Sequence, residues 1–534
     1  MQGTIDSKIA YFCMEYGLDE SLPIYSGGLG VLAGDIMKAA RDSDTNLIGV
    51  GVMWDEGYTV QRTDDQGHVY DTWEKTPRTS LRELDVSIEV QIGEESVGLN
   101  AFEVEGFGNT QLYLLEPKLE KHRDMTRRLY NGQGKMRIAQ EMILGIGGVR
   151  LLRALEIPVE LYHFNEGHAL FAGFELIREK MHEGLSFGQA LTASRSEVVF
   201  TTHTPVKAGN EIHAMSDLLE QGVGLGVLGE TELTNLGGNP FEMTVAALRL
   251  SRKANAVAKL HGQTAAQMWA HVEGGAEIIP ITNGIHLPSW QDKRVADWMP
   301  TRVPGALWDI TRDLKKELIA YIQEKTGQTL ADDKLLIGFA RRAATYKRAD
   351  LILEDLDWLS PYLKAGTIQI VFSGKAHPED AEGKAMIERV TKVAKDFPEA
   401  IVFLDNYDME VGRLMTRGVD VWLNNPRRPK EASGTSGMKA AANGGLNLSI
   451  LDGWWDEGCR HGENGWQFGD GYEGEGQDGH DGHALRMALS DFVLPTYYDN
   501  RKRWLEMMEA SITTACDDFS ARLMVDTYYE KLYR

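Results

Sequence analysis

Lys439 stands in the stretch EASGTSGMKAAANGG, from Glu431 to Gly445, behind two glycines and three hydroxyl side chains and ahead of three alanines. Small and hydroxyl residues at a helix start can cradle a phosphate, and Lys439 follows Thr435 by four positions, about one helical turn. A lysine among alanines is expected to be buried, and burial lowers an amine's pKa until it can condense with an aldehyde. A phosphate cradle beside such an amine is what pyridoxal phosphate requires. A capped helix with a snorkelling lysine is the plainer alternative.

Two further stretches are equipped for anions. FARRAATYKRAD follows an apolar run and gathers Arg341, Arg342, Lys347 and Arg348 with almost no acid beside them. Arginine forks and a lysine point charge suit a phosphate dianion; a solvated basic face is the alternative. GGLGVLAGDIMKAA, from Gly27, is a glycine turn opening a helix, which presents backbone N–H groups to an anion. It lacks the full dinucleotide fingerprint, so NAD is not expected. His163 and His168 in YHFNEGH are read as cleft lining or core hydrogen bonders, and no metal site is expected. His480 and His483 lie in an acidic stretch that could take up a divalent ion adventitiously. Trp454 and Trp455 are expected in packing, with stacking on a sugar face as the other reading.

The elements that must position these groups are short β-rich runs alternating with helical patterns. SKIAYFCME, TNLIGVGVMW, PVELYHFNEG, SEVVFTTHTP and AEIIPITNG read as buried strands, each ending in polar or glycine residues. GKMRIAQEMILGIGGVRLLRAL reads as a long packed helix. A second series begins with LLIGFARR and continues through TIQIVFSGKAHP, AIVFLDNY, VDVWLNNP and GLNLSIL. Two βα series imply an α/β protein with two doubly wound parallel domains and a ligand cleft between them. The expected division is 1–290, 291–490, and a helical segment 491–534 that either closes the second domain or crosses back to the first. Residues 457–483, rich in Gly, Asp and Glu, read as a long loop.

Composition excludes several classes. Lys plus Arg is 56 against 79 for Asp plus Glu, a net charge of −23, so nonspecific attraction to nucleic acid or an anionic membrane is not expected. Cys13, Cys459 and Cys516 are too few for a disulfide framework and are read as reduced thiols of a cytoplasmic protein. No run reaches the roughly 18 apolar residues of a spanning helix. The first residues carry acids and no long apolar stretch, so neither a signal peptide nor an anchor is expected.

IAYFCMEYGLDESLPIYSGGLGVLAGD, HFNEGHALFAGFELI, VVFTTHTPVKAGNE, ITNGIHLPSW, RRAATYKRAD, VFSGKAHPED, VFLDNYD and EASGTSGMKAAANGGLNLSILDGWWDEG together resemble the α-glucan (glycogen/starch/maltodextrin) phosphorylases, in particular their compact bacterial and archaeal branch. The resemblance implies the two-domain GT-B glycosyltransferase fold, with a glucan-binding first domain and a pyridoxal-phosphate-binding second one. It implies pyridoxal 5'-phosphate on Lys439, with Gly434, Thr435 and Arg341 holding the cofactor phosphate. Arg342 and Lys347 match the pair that grips substrate phosphate, and Gly28 a backbone donor near the phosphate or sugar. His203 matches the histidine facing the glucosyl unit, Asn283 and Glu431 sugar ligands, and Tyr407 a tyrosine near the phosphate. The implied reaction is reversible phosphorolysis, in which an α-1,4-glucan and inorganic phosphate give glucose 1-phosphate and the cofactor's phosphate acts as acid and base.

Three residues depart from the pattern of many relatives: Ser26 replaces an asparagine, Gly17 an aromatic residue and Arg341 a lysine. The first motif begins near Met1, so the long regulatory extension of animal relatives is expected to be missing. A nucleotide-sugar glucosyltransferase of the same fold would have no use for Lys439, and a noncatalytic glucan-binding protein would not need both phosphate cradles. A homodimer is left open.

Overall fold

The computed structural model describes residues 8–206, 209–303 and 305–534. They form two compact units. The chain up to Tyr58, Trp73–Thr282 and Met524–Arg534 make the first; Thr59–Thr72 and Asn283–Leu523 make the second. The change of unit therefore falls at Thr282/Asn283 rather than at 290/291, and of the segment 491–534 only Met524 onward goes to the first unit. The hairpin Val60–Thr63 with Val69–Thr72 joins the second unit because its polar partners are there. The Gln61 amide donates to the Ala376 carbonyl (3.1 Å) and accepts from the Ala376 N–H (2.8 Å), and the Thr63 N–H and hydroxyl both donate to Asp405.

The first unit is built on a nine-stranded sheet ordered Ile278–Pro280, Lys253–Ala256, Val198–Thr201, Val159–Asn165, Lys8–Phe12, Leu47–Val52, Leu112–Pro117, Glu95–Val104, Leu81–Ile92. Its central strands are parallel, and Leu47–Val52 is buried at every position, as expected where both faces are covered. The expectation of a wholly parallel sheet is corrected at one edge. Glu95–Val104 runs antiparallel to both its neighbours, Leu81–Ile92 and Leu112–Pro117, and Leu81–Ile92 exposes much of its length, as such an edge allows. The helix Gly28–Asp42 crosses close over the segment that follows the first strand. A Cβ on Gly34 would lie 1.9 Å from the Gly17 carbonyl oxygen, so glycine is required there. The long-helix reading of 134–155 holds in substance as Lys135–Met142, a π turn Ile143–Gly147 and Gly148–Ala154.

The second unit carries six parallel strands ordered Ile401–Leu404, Ile368–Ser373, Leu335–Ala340, Val421–Asn424, Leu446–Ile450, Gly465–Phe468. The last of these, and the start of the helix Gln477–Ala488, interrupt the loop expected over 457–483, whose remaining residues are largely irregular. Trp466 and Phe468 are buried and fix the strand, while Asp478 and Asp481 of the helix hold Arg348 at 2.9 and 2.8 Å. Trp454 and Trp455 are both 1% exposed, 5.0 Å apart, with Phe519 4.9 Å from Trp454, so they are core residues rather than sugar platforms. The three cysteines are free. No helix among the described residues is long and apolar enough to cross a membrane.

Candidate active site

The strand Leu335–Ala340 is apolar and buried throughout, and it delivers the basic cluster at its carboxyl end. Arg341 and Lys347 are both buried, and both close on Glu431. The Arg341 guanidinium lies 2.6 Å from Glu431 Oε2, and the Lys347 ammonium donates to both carboxylate oxygens at 2.7 and 2.6 Å. Burial alone would raise the Glu431 carboxyl, but these two cations hold it down at about 2. Asp452 supports Glu431 from behind, accepting the Glu431 N–H at 2.9 Å, and burial followed by the Glu431 charge pushes Asp452 up to about 8. With Asp452 neutral at pH 7, Arg341, Lys347 and Glu431 leave one positive charge in excess.

The other two cations behave differently. Arg342 is exposed. Arg348, with φ 53°, donates to the carbonyls of Asn425 and Pro426 and to Asp478 and Asp481, so it braces the loop and is not available to an anion. The apparent lack of acids around FARRAATYKRAD is thus corrected: they arrive from Glu431 and from residues 478 and 481, far along the chain.

Lys439 lies on the short helix Ser436–Ala441 and is 7% exposed. Its Nζ sits 3.7 Å from the centre of the Trp290 ring. Trp290 is held over it by Asn443, whose amide donates to the Trp290 carbonyl (3.1 Å) and the Lys439 carbonyl (2.9 Å). Thr435 precedes the helix, and its carbonyl accepts the Lys439 N–H at 3.2 Å. Gly434 has φ +83°, and a Cβ there would stand 3.5 Å from Arg341 Nη2, which puts the small-residue loop against the basic cluster. Ser433 Oγ is buried with no hydrogen-bond partner among the described residues. Tyr407, raised to about 12 by burial, completes this side. Asn283 is 4% exposed, and its Oδ1 is buried without a partner among the described residues.

In the first unit His203 follows the strand Val198–Thr201. Its Nε2 is 2.6 Å from Asn165 Oδ1, and its N–H donates to Glu166, which also accepts from the Thr204 hydroxyl at 3.1 Å. Burial pushes the imidazole down to about 3, so it is neutral, with the Nε2 proton donated to Asn165. Glu166 has φ 70°, a left-handed backbone in a non-glycine residue at a strand end. Gly28 begins the helix Gly28–Asp42, and a Cβ there would meet nothing within 4 Å, so its N-terminal side is open. The N–H groups of Ser26 and Gly27 are already taken by the buried carboxylate of Glu15, at 2.5 and 3.4 Å. His163 is a core residue, with Nδ1 2.8 Å from the Tyr533 hydroxyl and Nε2 2.6 Å from Thr201 Oγ1.

Glu15, Trp290 and Asp452 escaped the sequence reading, whereas Ser433 was among the hydroxyl residues of the expected cradle. Glu15, eleven positions before Ser26 and close to the glycine turn, carried a usable signal; Trp290 and Asp452 are recognisable only once the chain is folded.

Over residues 301–457 the chain matches the carbohydrate phosphorylase family. It is 41% identical to the maltodextrin phosphorylase of Thermococcus litoralis, over 99% of this chain and 70% of that protein. It is 35% identical to the glycogen phosphorylase of Aquifex aeolicus, over 100% of this chain and 87% of that one, and 37% identical to the glycogen phosphorylase of Mycobacterium tuberculosis, over 99% and 71%. The chain belongs to the carbohydrate phosphorylase family. It is therefore an enzyme, a glycosyltransferase of the phosphorylase kind, and its two sheet units are those of the GT-B fold. Within the phosphorylase match lie Arg341, Arg342, Lys347, Tyr407, Glu431, Gly434, Thr435 and Lys439; His203, Gly28 and Asn283 lie before it.

Proposed function

We propose that this phosphorylase acts on α-1,4-glucan, taking the terminal glucose of glycogen or maltodextrin with inorganic phosphate to α-glucose 1-phosphate. The observation that carries the reading is the buried Lys439 beside a cationic cluster whose carboxylate leaves one positive charge over. The residues present fit pyridoxal phosphate: Ser433 Oγ is a buried donor without a partner among the described residues, and Gly434, at φ +83°, brings the loop against Arg341 and Glu431. Lys439 would hold the aldehyde, and Gly434, Thr435 and Arg341 the phosphate. When bound, this cofactor supplies a phosphate group able to give and take a proton.

The remaining work falls to the chain. Lys347 and the exposed Arg342 hold inorganic phosphate, since a point charge and a guanidinium fork together suit a dianion. Glu431, ionised across the working pH range, fixes Lys347 and Arg341 in place and offers an oxygen to a sugar hydroxyl. Asn283 Oδ1 accepts a second hydroxyl and satisfies itself in doing so. The glucosyl unit becomes cationic as its bond to the glucan breaks, and His203 faces it as a neutral imidazole that does not repel the charge. Gly28 gives a backbone donor to the phosphate or sugar.

Maltodextrin should be degraded only when inorganic phosphate is supplied, yielding α-glucose 1-phosphate; in reverse, glucose 1-phosphate should extend a primer while ADP-glucose and UDP-glucose do not. Free glucose released without phosphate, or extension from a nucleotide sugar, would overturn the reading. A chromophore fixed by borohydride to the peptide bearing Lys439 tests the cofactor separately. The same reading includes a cytoplasmic location and leaves room for a homodimer, which sedimentation decides.

A further inference from the structure

Away from these residues, Glu141, Glu211 and His213 of the first unit offer one ligand atom each, all within 4.8 Å of one another. Glu141 comes from the helix Lys135–Met142, His213 from the short strand Ile212–His213, and Glu211 from the residue just before that strand. His213 Nε2 is 3.0 Å from Glu141 Oε2. The Glu141 carboxyl also lies within hydrogen-bonding reach of Glu211. Glu141 is 0% exposed, yet among the described residues its Oε1 has no hydrogen-bond partner, and neither has the buried Glu211 Oε2. His168 Nε2 approaches that same Glu211 oxygen at 3.6 Å. Among the described residues the cation in contact is Arg137, which engages the other Glu211 oxygen at 2.9 Å.

Two carboxylates facing each other in a buried place repel, and a guanidinium on one of them leaves the other uncompensated. Donors bound to one ion at about 2.1 Å each lie no more than about 4.2 Å apart, so a contraction of a few tenths of an ångström closes this cluster around a cation. Imidazole with carboxylates selects a divalent first-row transition ion over magnesium or calcium, which prefer oxygen alone. We propose that Glu141, Glu211 and His213 form a binding site for a divalent transition-metal ion such as zinc, with His168 beside its open position. Glu211 lies eight positions after His203. An ion here ties the end of the segment that follows His203 to the helix of Glu141, a structural clamp with no part in bond breaking.

The test uses the full chain with its cofactor, stripped by a chelator and titrated with zinc, and separately with cobalt for its visible spectrum. One equivalent per chain is expected, with a rise of several degrees in the thermal midpoint. His213→Gln and Glu211→Gln should each weaken uptake at least 100-fold and abolish the thermal response while folding as judged by circular dichroism. Stripped wild-type protein that takes up no stoichiometric zinc overturns the proposal whatever the variants do, because the carboxyl pair then merely shares a proton. Uptake that both variants retain also overturns it, since such binding is adventitious.

Discussion

Replacing Glu431 by glutamine keeps the shape of the side chain and removes the charge on which Arg341 and Lys347 converge. Holding a buried carboxyl from its ordinary 4.5 down to about 2 corresponds to about 3 kcal/mol favouring the folded anion. That agrees with the roughly 3–5 kcal/mol lost when one partner of a buried ion pair is removed. The variant's second unit should therefore unfold earlier in urea, followed by the fluorescence of its buried tryptophans. A phosphate dianion can replace the lost negative charge. At about 100 times its dissociation constant it restores about 2.7 kcal/mol, so phosphate should rescue Glu431→Gln far more than it stabilises the wild type. Because the folded pKa is depressed, the wild-type contribution is full above about 4.5 and lost as pH falls toward about 2; the variant should lack that acid-side loss. A Glu431→Gln protein as stable as wild type without phosphate, with an unchanged phosphate response, would refute the assigned electrostatics.

Lys439→Ala should lose the chromophore and activity while the chain stays folded, measured by absorbance and circular dichroism; a yellow, active variant would remove Lys439 from the site. Arg342→Ala, at an exposed position, should leave the urea midpoint within about 0.5 kcal/mol of wild type yet raise KM for phosphate. Lys347→Ala should impair both, and equal stability losses in the two variants would contradict their different burial. Gly34→Ala places a Cβ 1.9 Å from the Gly17 carbonyl and should cost about 3 kcal/mol through forced backbone movement, read as a lowered thermal midpoint.

The strands were legible because parallel-sheet strands such as Leu335–Ala340 are apolar throughout and end abruptly in polar residues. The edge strand Gly465–Phe468 was hidden among glycines and acids, since only Trp466 and Phe468 mark it and its pairing comes from Leu446–Ile450. The basic cluster was visible as charge, but not which charges are spent. Arg348 and Lys347 are adjacent in sequence, and only folding sends one to Asp478 and Asp481 and the other to Glu431. Trp290 over Lys439 was unreadable for the same reason: it lies far back along the chain, and Asn443 holds it there.

The passage of Met524–Arg534 back into the first unit governs the order in which the protein can be made. His163, on the strand next to the central one of the nine-stranded sheet, is enclosed by the rings of Tyr528 and Tyr533, and Arg252 donates to the Tyr533 carbonyl. Residues 1–523, which include all of the second unit, must be synthesised before those side chains emerge. Completion of the first unit therefore waits on synthesis of the second, and until then its core histidine lacks the cover of Tyr528 and Tyr533.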